Sequence, residues 1–189
     1  MRITGTVGVT MVCLSEVIKG VCRISSRLSH RGIDMGEKGV ITEIRAMEVQ
    51  DIELVGELLM QLAQDLNQEF FMDRKRLETH LQTMLDYADI YGNFVYSLDG
   101  IIVGFVSLVM YRSLFHRNGT ALINELVVSR AYRGGHIGSA LVRHAGEFAR
   151  NCGMDELEVG VMQENHRAQQ FYRRNGFDIE YLLLGKNLV

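Results

Sequence analysis

The sequence contains no proline. At average usage a chain of 189 residues would hold about nine, so its turns rest on glycine, asparagine and aspartate. Cysteine is scarce as well. Cys13, Cys22 and Cys152 are an odd number, and no two stand at CxxC spacing. That excludes a zinc site built from four cysteines of one chain, argues against a disulfide framework, and points to a reducing cytoplasm. No apolar run reaches the roughly 18 residues of a spanning helix, so no membrane segment is expected. Residues 6–14 are the nearest approach to a signal sequence. Only Arg2 precedes them, and Glu16 and Lys19 follow without a small-residue cleavage pattern, which excludes that reading. His30, His80, His116, His136, His144 and His166 show no metal-ligand spacing, so no metal is expected.

What remains is the composition of one globular domain with a tail. At 47% hydrophobic and 23% charged residues, coiled coil, collagen and wholesale disorder are excluded. The net charge of −3 is uneven: residues 1–34 carry +3, and residues 35–189 carry −6. A mildly acidic body argues against a nucleic-acid partner and suits a cationic substrate.

Residues 1–40 have no sustained period and include the polar run from Ser25 to Gly32. They read as a poorly packed, dispensable extension, as sequence upstream of a natural start at Met35, or as an extra strand over residues 6–14. The domain proper runs over 41–189. Residues 41–46 alternate like a half-buried strand. Asp51 is placed to cap a helix with Ile52, Val55, Leu58, Leu59 and Leu62 on one face, and Asp73 to start a second with Leu77, Leu81, Met84 and Leu85. Strands over 94–98 and 101–111 flank Asp99-Gly100, a strong hairpin signal because both turn positions need φ > 0. A third strand covers 121–128. A glycine loop over 132–138 leads into a helix that ends near Asn151, with Gly153 as the stop. A strand over 157–162, a helix over 165–175 closed by Gly176, and a final strand over 177–188 complete the reading.

Two stretches carry chemistry. Arg133-Gly134-Gly135-His136-Ile137-Gly138 lies between a strand and a helix. Amides at a helix N-terminus point outward, unpaired, into a positive dipole, which suits an anion such as phosphate. Arg130, Arg133 and Arg143 add charge. From the glycines alone, a plain turn is the better reading. The spacing fits neither a dinucleotide fingerprint nor a Walker loop. The second stretch runs from Asn165 to Phe177. Asn165 opens a helix, Tyr172 follows two turns later on the same face, and the small Ala168 lies between.

Together these stretches resemble the GNAT superfamily of acetyl-CoA-dependent N-acetyltransferases. Its loop pattern is Arg/Gln-x-x-Gly-x-Gly/Ala, and its second pattern is Asn-x-x-Ala-x-x-Phe-Tyr-x-x-x-Gly-Phe, which Asn165–Phe177 matches at every named position. The resemblance covers about residues 41–188. It implies an α/β (α+β) fold, a mixed and mostly antiparallel sheet splayed in the middle and flanked by about four helices. Acetyl-CoA would be the co-substrate, its arm lying in the split against main-chain groups of Leu126, Val127 and Val128. Its phosphates would rest on the amides of Gly134, Gly135, His136, Ile137, Gly138 and Ser139, with Arg133 beside them. Asn165 would hold the pantetheine arm and Tyr172 would reach the sulfur.

The implied reaction is direct attack by a neutral amine on the thioester, with no acyl-enzyme. Tyr172 would donate a proton to the leaving thiolate, and amides of the splayed strand would stabilise the oxyanion. Glu125 is the candidate base, ahead of Glu69, His116 and Glu164. A packed aromatic at Tyr172 and a solvated carboxylate at Glu125 are the plain alternatives. The chain departs from the family pattern in two places. His136 stands where glycine is usual, so the loop either avoids φ > 0 there or tolerates it. Arg130 stands where proline often opens the loop. With about twelve residues after Gly176, the cleft is either open on that side or completed by a second subunit, which would make a homodimer. The expected acceptor is a small-molecule amine. A protein N-terminus or lysine, and a coenzyme A-binding module without catalysis, are the alternatives.

Overall fold

A computed structural model of the chain describes residues 40–70, 73–114, 117–180 and 182–188. The expected extension, the alternative strand over 6–14 and the base candidate His116 lie outside the described residues. The order is β1 (Thr42–Ala46), α1 (Ile52–Asp65), α2 (Arg74–Asp86), β2 (Tyr91–Leu98), β3 (Ile101–Tyr111), β4 (Thr120–Val128), α3 (Ile137–Asn151), β5 (Glu156–Val159) and α4 (His166–Arg174). The strands form one sheet in the order β1-β2-β3-β4-β5. The first four run antiparallel, and β5 joins β4 in parallel. This is the mixed sheet flanked by four helices that the resemblance implies. No helix among the described residues is long and apolar enough to cross a membrane.

Local chemistry explains the joints. The hairpin between β2 and β3 turns on Asp99 and Gly100, at φ +49° and +81°, as the dipeptide predicts. Asp73 caps α2, its carboxylate accepting from the Arg76 amide at 2.9 Å. Asp51 does not cap α1 as expected. A 3-10 turn over Val49–Asp51 precedes the helix, and Asp51 is turned inward at 4% exposure. There it takes both outer nitrogens of the Arg45 guanidinium, at 2.6 and 2.8 Å, and the Glu48 amide at 2.8 Å. Burial pushes its carboxyl up, but the Arg45 and Glu48 hydrogen bonds outweigh that and hold it below the ordinary value. A charge-assisted bidentate pair beats one more cap.

Each face of the sheet carries its own core. Val55, Leu58 and Leu81 of α1 and α2 pack on Val95, Ile102, Phe105 and Val127. Ile137, Leu141, Val142 and Ala145 of α3 pack on Phe94, Val103, Val106, Leu108 and Ile123. Phe171, Tyr172 and Phe177 close that second core from α4 and the turn after it.

Two expected strands are corrected. The strand over 157–162 stops at Val159, because β4 accompanies it only from Thr120 to Ile123 and residues 160–162 have no ladder partner. The final strand over 177–188 does not form among the described residues. Leu182, Leu183 and Leu184 form an unbroken apolar run with 80–85% exposure. A run without alternation gives a strand no preferred face and no register.

Candidate active site

β4 changes character half-way along. From Thr120 to Ile123 it is bonded to β3 on one side and β5 on the other. From Asn124 to Val128 the only strand that pairs with it among the described residues is β3, which leaves one main-chain edge open. The change coincides with a bulge: Ser107 faces Glu125 and Leu108 faces Ile123, leaving Asn124 without an opposite residue. The bulge resets the alternation. Ala121 and Ile123 face α3 before it, as Leu126 and Val128 do after it. Glu125 therefore shares the α1 side of the sheet with Val127 and Ser107, and its Oε2 accepts from the Ser107 hydroxyl. Tyr111, Glu156 and Glu158 share that side too: Tyr111 Oη donates to Glu158 at 2.8 Å, and the Thr120 hydroxyl to Glu156 at 3.5 Å.

The open edge leads to the glycine loop. Gly134 takes φ +89° and His136 takes φ +61° as the N-cap of α3. His136 thus tolerates the left-handed region that the usual glycine enters freely, at a cost of about 1–2 kcal/mol. Its side chain makes no capping bond. Ala140 is the first residue of α3 whose amide bonds back, to His136 at 3.0 Å, so the amides of Ile137, Gly138 and Ser139 precede the ladder and point outward. Gly138 is needed for another reason. A Cβ there would come within 3.1 Å of the Phe171 ring, so glycine lets α4 close on the start of α3.

The loop arginines go elsewhere than expected. Arg130 and Arg133 both bind Asp65, the last residue of α1, at 2.7 and 2.6 Å. The Arg130 amide donates to Gln61 at 3.1 Å, which a proline at this position could not do. Arg133 Nε donates to the Val128 carbonyl at 2.9 Å, occupying one lone pair on the open edge. Burial raises the Asp65 carboxyl, but hydrogen bonds from Arg130 and Arg133 prevail and hold it below the ordinary value. Arg143 does not join them; it lines a cleft beside α4.

α4 supplies the remaining parts. Asn165 Oδ1 accepts from the Ala168 amide at 3.0 Å, capping the helix, and Nδ2 has no partner among the described residues. Tyr172 sits between Phe171 and Phe177, with ring centroids 5.0 and 5.2 Å away and edge-to-face geometry. Burial pushes its phenol up to about 12. Glu69 and Glu164 are exposed loop residues with no comparable setting. A cleft of about 1860 Å³ runs along β5 and residues 160–164 to Tyr172. Neither Glu125 nor the glycine loop lines it, and Leu182 and Leu183 do. It is the uncovered flank of β5, so the open edge of β4 is the better guide to the site. Among the described residues no three His, Cys, Asp or Glu side chains are grouped to hold a metal.

Sequence reasoning missed Asp65, Gln61 and Ser107. Asp65 carried a signal, since an acid in the last turn of a helix opposes the macrodipole and calls for cationic partners. Ser107 carried one too, as a polar residue inside an otherwise apolar strand.

Residues 59–177 match the model of the Acetyltransferase (GNAT) family. The chain belongs to this family. An uncharacterized N-acetyltransferase of Methanocaldococcus jannaschii is 29% identical over 143 residues, covering 75% of this chain and 63% of that protein. The aminoalkylphosphonate N-acetyltransferase of Salmonella typhimurium is 37% identical over 90 residues, 48% of this chain and 58% of its own. The chain thus covers less than two thirds of the length of both relatives. Among solved structures, an aminoglycoside N-acetyltransferase in complex with CoA superposes with a TM-score of 0.68 at 18% identity, over 82% of this chain and 100% of that one. That likeness concerns the fold.

GNAT proteins use acetyl-CoA, and the groups present fit it. An open strand edge suits an amide-bearing arm, and outward amides at the start of α3 suit phosphates.

Proposed function

We propose that this chain moves the acetyl group of acetyl-CoA onto a primary amine of a small cationic molecule. The observation that carries the reading is the half-paired β4, whose open edge runs from the bulge beside Glu125 to the amides at the start of α3. When bound, acetyl-CoA supplies a thioester that a neutral amine attacks directly, expelling a thiolate.

The chain's own groups bind, orient and handle protons. Leu126 and Val128 offer main-chain groups to the arm, those of the expected Val127 being turned to β3, and Asn165 offers Nδ2. The amides from Gly134 to Ser139 take the phosphates, and Arg133 holds the strand edge and loop in place from behind. Tyr172 keeps its proton at every physiological pH and donates it at Oη to the leaving sulfur. Glu125 accepts the amine's proton on its carboxylate, directly or through a water.

Glu125, Glu156 and Glu158 on one face of the sheet favour a cationic acceptor over an uncharged one. One relative named as an aminoalkylphosphonate N-acetyltransferase, and an aminoglycoside N-acetyltransferase of the same fold, support a small amine. Thiol release from acetyl-CoA tests this with 2-aminoethylphosphonate, spermidine, an aminoglycoside and a peptide with a free N-terminus. Turnover with one of the small amines is the expected result. Turnover with the peptide alone would move the assignment to protein acetylation, and tight acetyl-CoA binding without release would make the chain a binding module.

A further inference from the structure

β3 is apolar along its length except at one place. Phe105, Val106, Leu108 and Met110 are buried around Ser107, itself 2% exposed. Packing alone does not call for serine there, since a buried hydroxyl must find a partner or lose stability. Its partner is Glu125 Oε2. The bulge at Asn124 creates that pairing: without the extra residue Asn124 would stand opposite Ser107, and with it Glu125 stands there, on the same face of the sheet.

Among the described residues no other side chain bonds to this pair. The other carboxylates on the face have their own donors, Glu158 from Tyr111 and Glu156 from Thr120. α1 and α2 turn Val55, Leu58 and Leu81, not charges, to the core on this side of the sheet. A carboxylate accepts at either oxygen. With Oε2 fixed by a buried donor, the side chain is held in one orientation and Oε1 remains to accept a proton.

We infer that Ser107 is a positioning residue for Glu125, and the inference rests on Glu125 acting as the base. Ser107 touches no reacting atom. It fixes the rotamer of the group that does, where a small misplacement is costly in rate.

A double-mutant cycle tests it, with thiol release from acetyl-CoA read against 2-aminoethylphosphonate, spermidine, an aminoglycoside and water as acceptors. Ser107→Ala is expected to lower kcat about tenfold with the KM for acetyl-CoA unchanged. In a Glu125→Gln background the same change should have no further effect, because the group being positioned is gone. Ser107→Thr keeps the hydroxyl and should recover most of the rate. Ser107→Cys is close in volume but a weak donor, and should lose nearly as much as alanine, which separates donation from packing. An equal loss in both backgrounds, or a wild-type rate in Ser107→Ala, overturns the positioning role and leaves Glu125 standing. A wild-type rate in Glu125→Gln, or no release with any acceptor, overturns the reading of Glu125 and the role of Ser107 with it.

Discussion

The two halves of β4 are built from one strand and do different work. Thr120 to Ile123 is bonded on both edges, and three of its four residues are buried. Asn124 to Val128 is bonded on one edge, and only Val127 is buried. The first half is structure. The second keeps main-chain groups unpaired, which is ordinarily an aggregation hazard. Three devices contain the hazard: the bulge at Asn124, the charge of Glu125, and Arg133 resting on the Val128 carbonyl. The sheet core is continuous beneath both halves, so the open edge comes from where β5 stops and not from weak packing. A sheet can hold a ligand in place of a strand if neighbouring elements keep the vacated edge straight.

Replacing the Tyr172 phenol is expected to cost most. Tyr172→Phe keeps the ring contacts with Phe171 and Phe177 and removes only the donor. Stopped-flow thiol release should show kcat down about 10²-fold, with melting temperature and acetyl-CoA affinity nearly unchanged. A wild-type rate would reduce Tyr172 to a packed aromatic.

The same phenol gives a pH signature. Below pH 10 it is protonated in both folded and unfolded chains, and its contribution to stability is intact. Between pH 10 and about 12 the unfolded chain ionises while the folded one keeps its proton, so stability falls by about 2–3 kcal/mol. Urea unfolding at pH 9 and pH 11.5 should show a larger drop for the wild type than for Tyr172→Phe. Equal drops would contradict the burial of the phenol.

Arg133→Ala tests what keeps the edge straight. It removes the donor to Val128 and half of the clamp on Asp65. Acetyl-CoA should bind about tenfold more weakly in calorimetry, and an unchanged dissociation constant would free the open edge from any dependence on this arginine. The smallest effect is at His136. His136→Gly relieves a strained φ of +61° and should stabilise the fold by about 1 kcal/mol, leaving cofactor affinity in place because the contacts are main-chain. A tenfold loss would mean that the imidazole itself touches the ligand.

Much of this was legible in the sequence, because the signals were local. Asp99-Gly100 named its own turn, Asp73 its own cap, and Asn165 to Phe177 a helix opened by Asn165. The glycine loop announced the turn into α3 but not where its arginines would point. Arg130 and Arg133 turn back to Asp65, 65 and 68 residues earlier, and such a pairing leaves no trace in spacing. The face taken by Glu125 was hidden for a similar reason. A bulge exists only between two strands, and one strand's pattern cannot reveal it. The strand expected over 157–162 forms only as far as Val159, and the one over 177–188 does not form among the described residues, because apolar content was read without a partner. Residue type sets what a segment can become, and the neighbouring strand decides whether it does.

On the proposed reading, the vacated edge of β4 and the first amides of α3 receive acetyl-CoA. Amide hydrogen exchange, read residue by residue by NMR with and without CoA, tests it most directly. Protection should rise within residues 124–128 and 134–139, and amides of Thr120 to Ile123, already paired on both sides, should hardly change. Protection confined to β5 and residues 160–164, with 124–128 unaffected, would put the ligand in the flanking cleft and contradict the account.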